Sequence, residues 1–163
     1  MNDIAQAIKD DAAETVISAC QNIAHIFERR QHTTGQMYFG IYTVHAATLS
    51  AYALLDYMTR PEVPEVFHTM IVSLSATYRR WTLARGIVRM IWIELQQRKI
   101  DRNLNEPTLI LLNLSAVETW APEDHRIFEK CAYPNYAAIR ERGNAWSEMG
   151  ELLDEYSRLH VSD

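Results

Sequence analysis

The stretch from Tyr38 to Arg60 limits what this chain can fold into more than any other feature. It reads YFGIYTVHAATLSAYALLDYMTR, is apolar or aromatic over most of its length and contains no proline. A helix that is apolar on every side has to be buried. At 1.5 Å per residue this helix would be roughly 34 Å long, about the diameter of a small domain. We therefore predict that residues 38–60 form the central buried helix of the fold.

A shortage of turn residues favours helices over strands. The 163 residues include only 5 glycines and 5 prolines, too few for a sandwich or barrel of many short strands. A hydrophobic content of 48% is enough for one sizeable core that needs no disulfide. We predict an all-α single domain over residues 1–163, a bundle of about five to seven helices with its weakest joint at residues 101–106.

The spacing of apolar residues predicts helices before and after residues 38–60 in the sequence. Spacings of three and four from Ile4 to Phe27 predict an amphipathic helix over about Asp3 to Arg30. Asn2 or Asp3 is its expected N-cap. From Glu65 to about Lys99 the pattern is again helical, and it allows either one bent helix or two.

The second half of the chain carries three proline-started segments. Leu109 to Leu114 could be a helix or a strand by periodicity, and a helix fits better because no other strand is predicted to pair with it. Asn105 is its expected cap, with Pro107 in the first turn. We predict two further helices, near Pro122 to Cys131 and from Pro134 onward.

Charge and hydropathy exclude several classes of protein. A net charge of −5 and a pI near 5.7 argue against a general nucleic-acid-binding surface. The Tyr38–Arg60 stretch is long enough to span a bilayer, but His45 and Asp56 make it a poor span. The N-terminus has no basic region followed by an apolar run. We expect an intracellular protein, cytoplasmic or nuclear, with no membrane or direct nucleic-acid partner.

The common metal and cofactor motifs are missing from the sequence. Six histidines are present without a His-x-x-x-His pair, and the two cysteines, Cys20 and Cys131, lie far apart. There is no Gly-x-Gly-x-x-Gly segment, Walker loop or Gly-x-Ser-x-Gly elbow. We expect no metal and no cofactor.

One stripe on the central helix suggests a pocket. Its members fall three or four residues apart and so share one helix face: Tyr38, Tyr42, His45, Leu49, Tyr52 and Asp56. A second stripe, on the helical segment after residue 80, carries a cation between two indole rings: Trp81, Arg85 and Trp92. Two facing stripes of this kind could enclose a small molecule.

These stripes supply the candidate site residues. His45, Tyr42 and Arg85 are the candidate catalytic residues, with His45 as acid or base and Arg85 meeting an oxyanion. The candidate ligand-binding residues are Tyr38, Tyr52, Asp56, Trp81 and Trp92. The alternative is a filled core in which the tyrosine hydroxyls and the imidazole are hydrogen-bonded internally and Asp56 pairs with an arginine.

Loose motifs over residues 10–100 resemble a known family. They are Cys20-x-x-x-Ala24, the aromatic-rich Tyr38–Leu55 stretch with Ala46-Ala47, and Leu74 followed by Trp81-x-x-Ala84. Together they look like the closing helices of the fungal-specific transcription factor regulatory domain. The resemblance implies an all-α regulatory module. The six-cysteine zinc cluster of that family is missing, so no residue here inherits a zinc-ligand or DNA-reading role.

Two functions follow as hypotheses. The first is a non-catalytic regulatory or interaction module that acts through protein partners and responds to a small molecule. Such a shortened relative of a larger domain would expose apolar surface, so we expect a homo-oligomer formed through the first and last helices. The alternative is a cofactor-independent enzyme, a cyclase or isomerase, or a ligand-binding protein of fungal secondary metabolism, using the pocket around Tyr42, His45 and Arg85.

Overall fold

Five α-helices form the bundle in the part of the chain that the structure describes. The computed structural model describes residues 2–34, 41–77, 81–117, 132–134 and 146–148. The helices are α1 (Asn2–Thr34), α2 (Ile41–Leu54), α3 (Val63–Thr77), α4 (Thr82–Gln97) and α5 (Glu106–Val117). Short 3-10 turns follow α2 at Leu55–Tyr57 and α4 at Asp101–Asn103. The predicted all-α helical bundle is confirmed. No helix among the described residues is long and apolar enough to cross a membrane.

The segment from 65 to 99 is two helices rather than one bent helix. α3 ends at Thr77, and α4 begins at Thr82 after Trp81, whose extended backbone (φ −128°, ψ 99°) cannot continue a helix. The break lets the two helices fold back on each other. α3 packs against α4 and also against α1, α2 and α5, so α3 occupies the centre of the bundle.

The prediction of residues 38–60 as one central, wholly buried helix is wrong on two counts. The described helix ends at Leu54 and passes into the Leu55–Tyr57 turn; Tyr38 lies outside the described residues. Tyr42 is 87% exposed and Leu49 is 49% exposed. The reason is that only one side of α2 is covered by the bundle: Ala47, Ala51 and Leu54 on that side are fully buried, and Tyr42 and Leu49 lie on the other.

The helix buried most completely is α4. Every residue from Met90 to Leu95 is buried, including Glu94, and Ala84, Ile87 and Val88 are also fully covered. α4 packs between α3, α5 and α2, so neighbours cover several of its faces. The most buried helix is therefore α4, whose sequence contains arginines and a glutamate, and not α2, which lies in the most apolar stretch of the sequence.

The predicted cap of α5 is present. Asn105 Oδ1 accepts a hydrogen bond from the Thr108 backbone N–H at 3.0 Å and a second from the Thr108 hydroxyl. This satisfies a donor that the first helical turn would otherwise leave unpaired. The apolar run Leu109 to Leu114 is therefore helical, as its context predicted.

Only two short pieces of the chain after residue 117 are described. Ala132–Pro134 (β1) and Trp146–Glu148 (β2) form an antiparallel pair in which Tyr133 lies opposite Ser147. The helix expected from Pro134 onward is wrong at Trp146–Glu148, where the chain is a short strand paired with Ala132–Pro134. The helix expected near Pro122 to Cys131 lies outside the described residues.

Lys99 ends α4 in a backbone conformation that suits glycine better. Its φ is 56°, and the Ile100 N–H bonds to the Leu95 carbonyl at 3.1 Å while the Lys99 N–H bonds to the Gln96 carbonyl at 3.0 Å. This is the bonding pattern of a Schellman motif, whose left-handed residue is usually glycine. Lysine in that position has a steric cost because its Cβ approaches the backbone.

We therefore expect Lys99→Gly to raise the free energy of unfolding by about 0.5–1 kcal/mol. Urea unfolding followed by circular dichroism measures this change. Lys99→Ala is the matched control, because it removes the same charge and keeps the Cβ. A glycine variant no more stable than the alanine variant would contradict the prediction.

Candidate functional site

Part of the predicted polar stripe on α2 faces solvent. Tyr42, His45 and Leu49 fall three and four residues apart, and all three side chains are exposed. We call these three residues the α2 surface. The opposite face of α2 is buried through small residues, among which Ala47, Thr48 and Ala51 are fully covered. α2 thus presents a tyrosine, an imidazole and a leucine outward while its small side chains pack inward.

The C-terminal part of the stripe, from Tyr52 onward, contacts the rest of the bundle. Tyr52, one helical turn beyond Leu49, is 9% exposed and belongs to the hydrophobic core. Asp56 follows in the 3-10 turn and accepts a hydrogen bond from Arg98 Nη1 at 2.9 Å. The arginine pairing that the sequence offered as an alternative for Asp56 is therefore present.

Arg98 joins two acidic side chains at the end of α4. Its Nε donates to Glu94 Oε1 at 2.5 Å, and its Nη1 contacts Asp56. The Glu94 side chain is only 9% exposed, whereas Asp56 is 37% exposed. Arg98 therefore compensates a nearly buried carboxylate and ties α4 to the turn that follows α2.

The second predicted stripe runs from the surface into the core. Trp81, just before α4, is 37% exposed, and Trp92 near the other end of α4 is 8% exposed. Arg85 lies between them and is half-buried. Trp92 packs in the same core cluster as Tyr52, so two of the predicted ligand-binding aromatics lie among core side chains.

The predicted site residues thus lie in three different environments. Tyr42 and His45 are on the surface, Asp56 is in an ion pair, and Tyr52 and Trp92 are in the core. Tyr38 lies outside the described residues. A groove does exist elsewhere, between α1 and α3, and none of the predicted site residues lines it.

That groove is open to solvent, has a volume of about 330 Å³ and is partly polar. Its lining residues are Gln21, Ala24, His25, Glu28, Glu65, Val66 and Thr69. Glu28 accepts a hydrogen bond from the Thr69 hydroxyl at 3.2 Å and lies 3.5 Å from Nδ1 of His25. The lining of the groove therefore combines two carboxylates, Glu28 and Glu65, with the apolar side chains of Ala24 and Val66.

Sequence reasoning missed this groove, although two spacings pointed to it. His25-x-x-Glu28 lies on α1, and Glu65-x-x-His68 lies on α3, so each pair shares one side of its helix. His68 is engaged elsewhere, with its Nδ1 2.8 Å from the Thr108 hydroxyl. Among the residues that the structure describes, no three His, Cys, Asp or Glu side chains are grouped to hold a metal ion.

Cys20 lies where α1 packs against α2. Its side chain is buried, and its Sγ is 3.9 Å from the carbonyl oxygen of Ser50. Burial raises the pKa of the Cys20 thiol above its ordinary value. Because the thiolate is the reactive form of cysteine, the raised pKa and the burial make Cys20 poorly reactive in the folded chain.

Comparisons with known proteins identify no relative of this chain. Comparison of the chain with protein-family models, with curated proteins and with solved structures gives no significant match.

Proposed function

We propose that this chain is a non-catalytic regulatory module that acts by binding protein partners through the α2 surface. The observation that supports the proposal is the exposure of Tyr42 (87%) and Leu49 (49%) on one face of a helix whose other side is packed in the bundle. The resemblance of residues 10–100 to the regulatory domain of fungal transcription factors supports the regulatory part of the proposal.

The side chains of the α2 surface have the chemistry of a protein contact. Tyrosine is enriched at the centres of interfaces because it offers a large apolar area together with a hydroxyl. Covering the exposed half of Leu49 would stabilise a complex by about 1 kcal/mol, roughly half the gain of burying a fully exposed leucine. A partner with a shallow apolar depression flanked by hydrogen-bonding groups would match Tyr42 and Leu49, with His45 between them.

The enzyme alternative receives less support from these positions. Acid or base catalysis is most effective where water is excluded and the reacting groups are held together. Tyr42 and His45 instead lie on an exposed helix face, where water competes for every hydrogen bond. We therefore do not propose a cyclase or isomerase role for them.

A transcription reporter tests the regulatory proposal. The full chain is fused to an unrelated DNA-binding domain, and reporter output is measured against that domain alone. We expect the fusion to change the output, and we expect Tyr42→Ala with Leu49→Ala to remove most of the change, because both contact side chains are lost. Circular dichroism on the purified variant checks that the helices remain.

Ile110→Ala is the matched control for this experiment. Ile110 is 52% exposed on α5, so the substitution also removes exposed apolar area but lies away from the α2 surface. It should leave the reporter change intact. A wild-type fusion with no effect on transcription would contradict the regulatory proposal, and equal losses with the α2 and α5 variants would contradict the role of the α2 surface.

A further inference from the structure

α1 is much longer than the bundle that it packs against. Its 33 residues span about 50 Å, between two and three times the length of α2, α3, α4 or α5, which have 12 to 16 residues each. The α1 residues buried in the bundle occupy only the middle of the helix: Ala13, Ile17, Cys20, Ala24 and Phe27. Every side chain described from residue 6 to 12 and from residue 28 to 33 is exposed. Helical segments as short as residues 6–12 and 28–33 are marginally stable in water when nothing packs against them.

A second stripe follows the opposite side of α1. Its members repeat at alternating spacings of four and three, and all are exposed and uncharged: Ile8, Ala12, Thr15, Ala19, Asn22 and Ile26. Ile8 is 65% exposed and Ile26 is 62% exposed. They stand five full turns apart and so point to the same side. This α1 stripe has the alternating spacing of helices that pack lengthwise on one another.

We propose that two copies of this chain pair through the α1 stripe, with the two helices antiparallel. The stripe is symmetric about residue 17. In an antiparallel pair centred there, Ile8 lies opposite Ile26 of the second copy, and Ala12 lies opposite Asn22. Thr15 then meets Ala19 at the centre. Such a contact is isologous: Ile8 of the first copy meets Ile26 of the second, and Ile26 of the first meets Ile8 of the second.

The sizes of the side chains fit this register. Small residues at the centre allow the helix backbones to approach closely, within the range of about 8–10 Å for packed helices. The two isoleucines then close the contact at both ends, about 27 Å apart along α1. Because each end pairs an isoleucine with an isoleucine, both exposed aliphatic side chains of each copy leave water.

Charge also selects the antiparallel arrangement. The N-terminal half of α1, residues 2–17, carries four acidic residues and one lysine, whereas its C-terminal half carries Arg29 and Arg30 with one acidic residue, Glu28. In the register centred at residue 17, Arg29 and Arg30 of one copy lie opposite residues 5 and 4 of the other, about 9 Å along the helix from Asp11. A parallel pair would place like charges together, which costs free energy. The helix dipoles also oppose each other favourably in the antiparallel pair.

This inference goes beyond the proposed function, since the α2 surface takes no part in the contact. Sedimentation equilibrium of the full chain tests it. We expect the wild-type chain to be dimeric at micromolar concentration. Ile8→Glu with Ile26→Glu should raise the dimer dissociation constant by about 100-fold or more, because the two new carboxylates face each other across the contact. Neither side chain is buried in the bundle, so the bundle helices should remain and any loss of the helical circular dichroism signal should be confined to the ends of α1.

Tyr42→Glu is the matched control, because it adds a carboxylate at an exposed apolar position on another helix. Tyr42→Glu should leave the dimer intact and reduce the reporter effect. The Ile8 and Ile26 variant should do the opposite: it should weaken the dimer and leave the reporter effect in place. A monomeric wild-type chain would overturn the dimer proposal. So would a dimer that survives the Ile8 and Ile26 substitutions.

Cysteine pairs test the direction and the register. In a Cys131→Ser background, a mixture of Ala12→Cys and Asn22→Cys chains should form a cross-linked dimer under mild oxidation. Each variant alone should not, because antiparallel pairing separates identical positions by about 15 Å along the helix. Buried Cys20 should not compete. Cross-linking of either variant alone would identify a parallel pair and overturn the proposal, as would the absence of a cross-link between the two variants in the mixture.

Discussion

Phe67→Ala is expected to lower the free energy of unfolding by about 3–5 kcal/mol. Phe67 lies on α3, the helix that packs against the other four, and its side chain is completely buried. The substitution removes a large apolar side chain and leaves a cavity that neighbours on several helices cannot all move to fill. Denaturant unfolding followed by circular dichroism measures the loss, and the melting temperature should fall with it.

Leu114→Ala is a suitable control for this measurement, because Leu114 is 59% exposed on α5. Its cost should be about 0.5 kcal/mol or less, as is usual at surface positions. A similar loss for both substitutions would contradict the central position of α3. A near-zero loss for Phe67→Ala would do the same.

Arg98→Leu should lower the free energy of unfolding by about 2–3 kcal/mol. The substitution leaves the nearly buried Glu94 carboxylate without the guanidinium that compensates it. It also removes the hydrogen bond to Asp56. Arg98 keeps some contact with water, at 29% side-chain exposure, so the expected loss is below that of a fully buried ion pair.

A second substitution separates loss of the ion pair from loss of packing. Glu94→Gln added to Arg98→Leu should recover part of the lost stability, because a neutral amide is easier to bury than an uncompensated carboxylate. Arg102→Leu, at an exposed position nearby, should change stability little. If the double variant is less stable than Arg98→Leu alone, the carboxylate is not what makes the single substitution costly.

Local signals predicted the helices well where one mechanism dominated. The spacing of apolar residues in α1 predicts its helical structure, but its buried face only in part: Cys20 and Phe27 are covered, whereas Ile8, in the same predicted stripe, is 65% exposed. The start of α5 depended on a cap, and Asn105 provides it. At Trp146–Glu148 the same kind of periodicity predicted a helix, but pairing with Ala132–Pro134 produced a strand.

The candidate site was harder to predict because helix spacing says which residues share a face and not where that face points. Tyr42, His45 and Leu49 do share a face, as predicted, yet it faces water. The groove between α1 and α3 depends on side chains about forty residues apart in sequence, such as Glu28 and Thr69. No local pattern specifies that pairing.

The sequence by itself determined the class of fold and most helix positions, because turn content, caps and apolar periodicity are local properties of the chain. Only the tertiary structure decided which side of α2 is buried. Nearly every face of α2 is apolar, so hydrophobicity alone has little preference between them. Close packing makes the choice: small residues such as Ala47 and Ala51 let α2 approach α3, and Tyr42 is left on the surface.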